Sequence, residues 1–249
     1  SMIVGVLGAL GEGTIRGGLT FQMVSGMGYI LVGVVLAGAV GMAAVVFYLI
    51  HHMIVMTSLF LTGGSVEHEE RTGVVGRLGG LAKAHPIAAF AFFLSAASLV
   101  GLPPFSGFWA KLGVLTAAVD AGSALVVVVV LLVSVGTLMS MLKLGTGVFW
   151  GLPKGAREDE DTPSDVTVVA DTTAGRAGAT GTAIDIAAAV EAPPMTRWRP
   201  FLVFPGLALA LLSLGIGIFP EWLLDLTQTA GESLNDTAGY VTAVLGGGS

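Results

Sequence analysis

The sequence predicts an all-α, polytopic transmembrane helix bundle with about six full spans, the end of one more, and one proline-broken helix. Hydrophobic residues make up 54% of the 249-residue chain and charged residues only 11%, whereas a soluble domain carries about 25% charged residues. The mean hydropathy is +0.87. This composition excludes a disordered chain, a nucleic-acid binder and an ordinary soluble enzyme.

Long uncharged stretches locate the individual spans. No Asp, Glu, Lys or Arg lies between Arg16 and Glu67, and this stretch of 50 residues is long enough for two membrane helices of about 20 residues each. The first apolar stretch is too short to cross a membrane, which predicts that the chain begins partway through a helix, as a truncated or excised piece would. In chain order, the predicted helical segments are residues 2–10, 17–38, 42–63, 84–101, 105–121, 123–149 and 200–219.

The chain divides into four predicted regions. Residues 1–150 form the transmembrane bundle, and residues 199–219 form the last transmembrane helix. Between them, residues 151–198 are acidic and rich in Thr, Ala and Gly, which predicts a disordered loop outside the membrane. The tail, residues 220–249, alternates apolar and polar residues and is predicted to lie at the membrane interface.

Lys111 is the most informative single residue. It follows the break expected at Pro103 and Pro104, with Gly107 between the prolines and the lysine. Proline removes backbone donors and interrupts a helix, and the freed carbonyl groups then need water or a polar neighbour. A lysine beside such a break predicts a hydrated ion path, since intramembrane charges usually face a polar cavity. The alternative is that Lys111 extends to the interface and has no role in transport.

His51 and His52 lie near the middle of a predicted span, and Tyr48, His52 and Met56 share one helix face. An imidazole at this depth can pass protons, because its ordinary pKa is near 6.5. The alternative is a neutral histidine that hydrogen-bonds a neighbouring helix. Arg16 opens another predicted span and is a further candidate for the ion path, although a lone arginine at a helix start is more typical of an interfacial anchor.

The sequence predicts neither an enzyme site nor a cofactor. The chain contains no cysteine, which excludes thiolate metal sites and disulfides. Within the predicted spans there is no carboxylate at ligand spacing from the histidines, so no metal site is predicted. No phosphate-binding loop and no Ser/His/Asp arrangement is present.

Four segments together resemble a known family. Residues 14–31 look like the "IKR…SQ-GY" helix of antiporter-like membrane subunits, and residues 51–60 look like their "H…K…LF" helix. Residues 101–111 are similar to their broken "G-PP-SGF…K" helix. Residues 235–245 resemble the C-terminal signature of the D subunit of multisubunit Mrp-type Na⁺/H⁺ antiporters, whereas the related subunits of respiratory complex I share only the first three patterns.

The resemblance implies a partial subunit. It covers nearly the whole chain, but only about the C-terminal half of the family's helix bundle. It implies a proton-translocating protein of the bacterial cell membrane that assembles with other antiporter subunits in the lipid bilayer and handles H⁺ and Na⁺. It implies a transporter subunit rather than an enzyme, unless the chain belongs to a complex I-type oxidoreductase.

The chain departs from the family pattern at three positions. The family's lysine in the "H…K…LF" helix falls on Met56, Gly17 replaces a basic residue, and Gly26 stands where glutamine or histidine is common. Lys111 and His52 match the pattern. Two alternatives to antiport therefore stay open: a proton-pumping subunit of an NADH:quinone oxidoreductase, and a structural subunit that conducts no ions.

Overall fold

The computed structural model describes residues 1–36, 38–151, 200–236 and 239, and in this part of the chain the regular structure is helical, without a β-sheet. The helix bundle predicted from composition is therefore confirmed. The acidic loop predicted at 151–198 lies outside the described residues except for Gly151. The α-helices are α1 (Met2–Gly11), α2 (Ile15–Val35), α3 (Ala39–Glu70), α4 (Leu81–Ala84), α5 (Pro86–Val100), α6 (Ser106–Asp120), α7 (Ala124–Gly145), α8 (Phe204–Ile218) and α9 (Glu221–Asn235).

Three of the described helices are long and apolar enough to cross a membrane: α2, α3 and α7, the last continued by a π-helical turn to Trp150. Helix α3 is longer than predicted, because nothing interrupts it between the end of the uncharged stretch and Glu70. His68, which lies beyond the predicted segment 42–63, is in the last turn of α3.

The predicted proline break separates α5 from α6. Helix α5 ends at Val100, Gly101 adopts a left-handed conformation with φ of 92°, and α6 begins only at Ser106. Each helix has 15 residues and is therefore about 22 Å long, shorter than the hydrocarbon core of about 30 Å. The break thus brings two helix ends and their backbone polar groups into the bundle.

Helix α3 is the centre of the fold, since it packs against α2, α5, α6, α8 and α9. Its C-terminal half joins an apolar cluster that includes Leu59 and Phe92, and its N-terminal half joins a second cluster that includes Phe47 and Val114. The middle of α3 lies between these two clusters. Polar side chains at that position are consequently enclosed by other helices.

Helices α8 and α9 form a bent pair, with an angle of 82° between them. Leu223, Thr227 and Gly231 of α9 are buried, and α9 packs against α3. The two helices together satisfy the length and apolarity of a fourth span. The interfacial location of the tail stays a prediction.

Candidate functional site

The ammonium group of Lys111 is inside the bundle. Only 9% of the residue surface is exposed, and the side chain turns back toward the helix break. Its Nζ donates a hydrogen bond to the carbonyl oxygen of Val100 at 2.7 Å. Since Val100 is the last residue of α5, the lysine satisfies one of the carbonyl groups that the break leaves without a helical partner.

The ring of Tyr29 supplies the second contact of this ammonium. Nζ of Lys111 lies 5.5 Å from the ring centroid of Tyr29, a distance at which the electron-rich face of an aromatic ring attracts a cation. No Asp or Glu in the described part of the chain forms a salt bridge with Lys111. Among the residues that the structure describes, the charge is therefore held by a carbonyl dipole and an aromatic face, without a carboxylate.

Aromatic rings continue from Tyr29 to the two histidines of α3. The rings of Tyr29 and Tyr48 stack with centroids 5.0 Å apart and planes at 11°. Tyr48 also lies 5.8 Å from the ring of His52, nearly parallel to it, and 5.9 Å from the ring of His51, edge to face. Lys111, both tyrosines and both histidines thus form one contiguous cluster.

Gly26 provides the space that His52 occupies. A Cβ atom on Gly26 would lie 2.0 Å from Cε1 of His52, so any larger residue at this position would displace the imidazole. The sequence departure at Gly26 is therefore connected to the position of His52. Met56, one turn further along α3, is buried in the apolar cluster around Leu59.

His51 begins a chain of hydroxyl groups from three other helix segments. Its Nδ1 lies 2.8 Å from Oγ of Ser106, which lies 2.8 Å from Oγ of Ser213, which in turn lies 2.6 Å from Oγ of Ser98. All three serines are fully buried. Nε2 of His51 is also buried and has no hydrogen-bond partner. The imidazole can therefore exchange a proton with the hydroxyl of Ser106 through Nδ1, while Nε2 has no hydrogen-bond partner.

Arg16 is not part of this cluster. Its side chain is largely exposed and forms an ion pair with Glu67 near the C-terminal end of α3, far along the helix from His51. The structure therefore brings together Lys111, Tyr48 and the two histidines from the sequence candidates, and it leaves Arg16 at the end of the bundle.

Sequence reasoning missed Tyr29 and the three serines as site residues. Ser106 could have been found, because it begins the helix after the proline break, where a polar group meets freed backbone. Tyr29, Ser98 and Ser213 lie on helices far apart in sequence, and no local spacing marks them.

No group of three or more His, Cys, Asp or Glu residues in the described ranges is arranged to hold a metal ion. The polar side chains of the cluster around Lys111 and His51 are hydroxyls, two imidazoles and one ammonium. These groups gain and lose protons or pass them along hydrogen bonds, so the chemistry that the arrangement supports is proton movement inside a membrane protein.

The fold and this buried cluster define a polytopic membrane protein with ionisable groups in its interior. The sequence profile of the transmembrane family described as NADH:quinone oxidoreductase/Mrp antiporter matches residues 1–140. The chain belongs to this family.

Three similar proteins illustrate the relationship. The D subunit of the Na⁺/H⁺ antiporter of Alkalihalophilus pseudofirmus is 36% identical over 158 residues, which are 64% of this chain and 32% of that protein. The N 2 subunit of the NADH-quinone oxidoreductase of Solidesulfovibrio magneticus is 30% identical over 233 residues, 93% of this chain and 42% of that protein. A chain of the Mrp complex from Dietzia is 42% identical and superimposes with a TM-score of 0.79, covering 98% of this chain and 47% of that chain. The chain therefore spans less than half the length of these relatives.

Proposed function

We propose that this chain is the proton-translocating part of a subunit of a multisubunit Na⁺/H⁺ antiporter, located in a bacterial cell membrane and assembled with other antiporter subunits. The observation that carries the proposal is the buried ammonium of Lys111 at the helix break, in contact with Tyr29. A charge at the centre of a membrane helix costs about 2.5–3.5 kcal/mol on insertion scales. A side chain kept at such a cost is explained by a role in moving charge.

Protons would pass between Lys111 and the histidines of α3. In this mechanism Lys111 releases a proton into the cluster and later regains one, while His51 and His52 accept and release protons at their ring nitrogens. Tyr48 packs against both imidazoles and keeps them at the centre of the bundle. In this proposal the movement of Na⁺ is coupled to these protons elsewhere in the assembly, by the other subunits.

The proposal is tested with Lys111→Ala in a complete antiporter complex that carries this chain. We expect Na⁺-dependent H⁺ exchange in everted membrane vesicles to fall by at least about a hundredfold, the range that a positioned proton-transfer group contributes. Lys143→Ala is the matched control, because Lys143 also donates to backbone carbonyls but is exposed. Exchange that is unchanged in Lys111→Ala would contradict the proposal and favour a structural subunit.

A second candidate function is that of a proton-pumping subunit in an NADH:quinone oxidoreductase. It is favoured by the 30% identity to an oxidoreductase subunit over 93% of this chain. Purification of the native complex separates the two candidates. Co-purification with iron–sulfur and quinone-binding subunits would support the oxidoreductase, and co-purification with small multi-span antiporter subunits would support the antiporter.

A further inference from the structure

Buried hydroxyl groups continue along α3 beyond His51, toward the C-terminal end of the helix. Ser58, Thr62 and Ser65 follow His51 by 7, 11 and 14 positions and therefore share its helix face. Ser58 and Thr62 are fully buried, and Ser65 is 5% exposed. A stripe of hydroxyls on the most enclosed face of an apolar helix is not what close apolar packing requires, because buried hydroxyls must find hydrogen-bond partners.

The neighbouring helices add polar groups to this stripe. Oγ of Ser58 lies 2.6 Å from Oγ of Ser95 on α5 and 2.6 Å from the carbonyl oxygen of Gly206 on α8. Ser95 is three positions before Ser98, the last member of the hydroxyl chain that begins at His51. Hydrogen bonds thus form two groups, one joining Ser58 to Ser95 and the other joining His51 through Ser106 and Ser213 to Ser98. We call the buried hydroxyls of α3, α5, α6 and α8 the hydroxyl column: Ser58, Thr62, Ser65, Ser95, Ser98, Ser106 and Ser213.

Thr62 is the residue whose hydroxyl is hardest to explain by packing. Its Oγ1 is buried and has no hydrogen-bond partner, an unfavourable situation that valine, with nearly the same shape, would avoid. A Cβ atom on Gly206 would lie 2.5 Å from this oxygen. Because Gly206 has no side chain, there is room for the Thr62 hydroxyl inside the column.

The column leads to titratable groups at the end of α3. Glu69 follows Ser65 by one helical turn, and its side chain is only 10% exposed. Oε2 of Glu69 lies 3.7 Å from Nδ1 of His85, and Oε1 of Glu70 lies 3.3 Å from Nε2 of the same imidazole. The stretch of α3 from His51 to Glu69 is about 27 Å long, so the column covers much of the thickness of a bilayer.

We propose that the hydroxyl column carries protons between His51 and the membrane face at Glu69 and His85. This inference rests on the proposed function and deepens it by naming the route of access. Each hydroxyl oxygen accepts one proton and releases its own O–H proton to the next group, so that one proton leaves Glu69 or His85 for each proton that reaches His51. Side chains one turn apart have Cβ atoms about 5–6 Å from each other, so this route requires water molecules to bridge the one-turn intervals.

The inference is tested by removing a hydroxyl without changing the shape of the side chain. In the complete complex, we expect Thr62→Val to lower Na⁺-dependent H⁺ exchange by about tenfold or more and to raise the ratio of rates in H₂O and D₂O, because proton delivery becomes limiting. Thr62→Ser restores the hydroxyl and should retain the parent rate. Thr57→Val is the matched control, since Thr57 is exposed on the same helix and bonds only its own backbone at Met53.

Ser58→Ala provides a second variant, and co-purification of the other subunits reports whether each variant assembles. If Thr62→Val fails to assemble, the exchange rate and the H₂O/D₂O rate ratio of Ser58→Ala test the inference instead. The column would be overturned as a proton route if an assembled variant kept the parent exchange rate and the parent isotope ratio while Lys111→Ala lost exchange. The proposed function would then still stand. Retained exchange in Lys111→Ala would overturn the proposed function and the column with it.

Discussion

Lys111 and Lys143 make the same kind of hydrogen bond in two different surroundings. Lys111 donates to the carbonyl oxygen of Val100 at the end of α5, and Lys143 donates to those of Leu10 and Glu12 at the end of α1. In both cases a cation meets the negative end of a helix dipole, which is favourable. The difference is exposure: Lys111 is 9% exposed, whereas the contacts of Lys143 are at the surface.

This difference shows that the local cap does not by itself explain Lys111. At the surface, water completes the solvation of an ammonium group, and the cap adds a modest gain of about 0.3–1 kcal/mol. Inside the bundle, the protein contacts of the ammonium are one carbonyl oxygen and one aromatic face. Lys143 is therefore a stabilising helix cap. Burial of the Lys111 ammonium is unfavourable, and a role in ion transport would explain why it is buried.

Of the substitutions that test this difference between the two lysines, Gly107→Ala is expected to have the largest effect, because it disrupts the packing that keeps Lys111 buried. A Cβ atom at this position would lie 1.7 Å from the carbonyl oxygen of Ser98 and 2.9 Å from Cε1 of His51. Because one of these atoms belongs to the backbone, α6 would have to move away from α5. We expect loss of the assembled complex on size-exclusion chromatography.

The matched control for this substitution is Gly215→Ala in α8, where an added Cβ meets no atom within 4 Å. Its heat stability should equal or exceed that of the parent by up to about 1 kcal/mol. An assembled Gly107→Ala complex with parent stability would show that the two helices tolerate separation and that burial of the lysine does not depend on their contact.

An intermediate effect is expected from Lys143→Met, which removes the exposed cap. The loss of two hydrogen bonds at the end of α1 should destabilise the protein by about 1 kcal/mol, seen as a melting midpoint of the solubilised complex lowered by about 2–4 °C. Exchange activity should stay at the parent rate. Loss of exchange with this variant would show that Lys143 also acts in transport, contrary to the distinction drawn between the two lysines.

The smallest effect is expected from Arg16→Gln, which breaks the ion pair with Glu67. The arginine side chain is 71% exposed, and exposed pairs contribute at most about 1 kcal/mol because water and salt screen them. The melting midpoint should fall by less than about 2 °C, and the difference should vanish in high salt. A larger fall would show that the ion pair contributes more than its exposure implies, and a loss of exchange would place Arg16 in the ion path.

Much of the fold and part of the candidate site could be predicted from the sequence. The uncharged stretches located most of the apolar helices to within a few residues, because hydrocarbon excludes charge and sets helix length. They predicted neither α4 nor α9. The end of α3 was misplaced: polar residues such as Glu67 and His68 continue the helix where they find partners or solvent. Lys111 stood out because a charge next to two prolines is unusual in an apolar segment.

The sequence by itself determined the class of protein, the break before α6 and the residues whose chemistry is unusual for a membrane. Only the tertiary structure decided which of these groups meet. Tyr29, Ser98 and Ser213 lie on α2, α5 and α8, and their side chains converge on α3 because small residues such as Gly26 and Gly107 let the helices approach. Such convergence depends on packing between distant segments, and neither hydropathy nor local spacing encodes it.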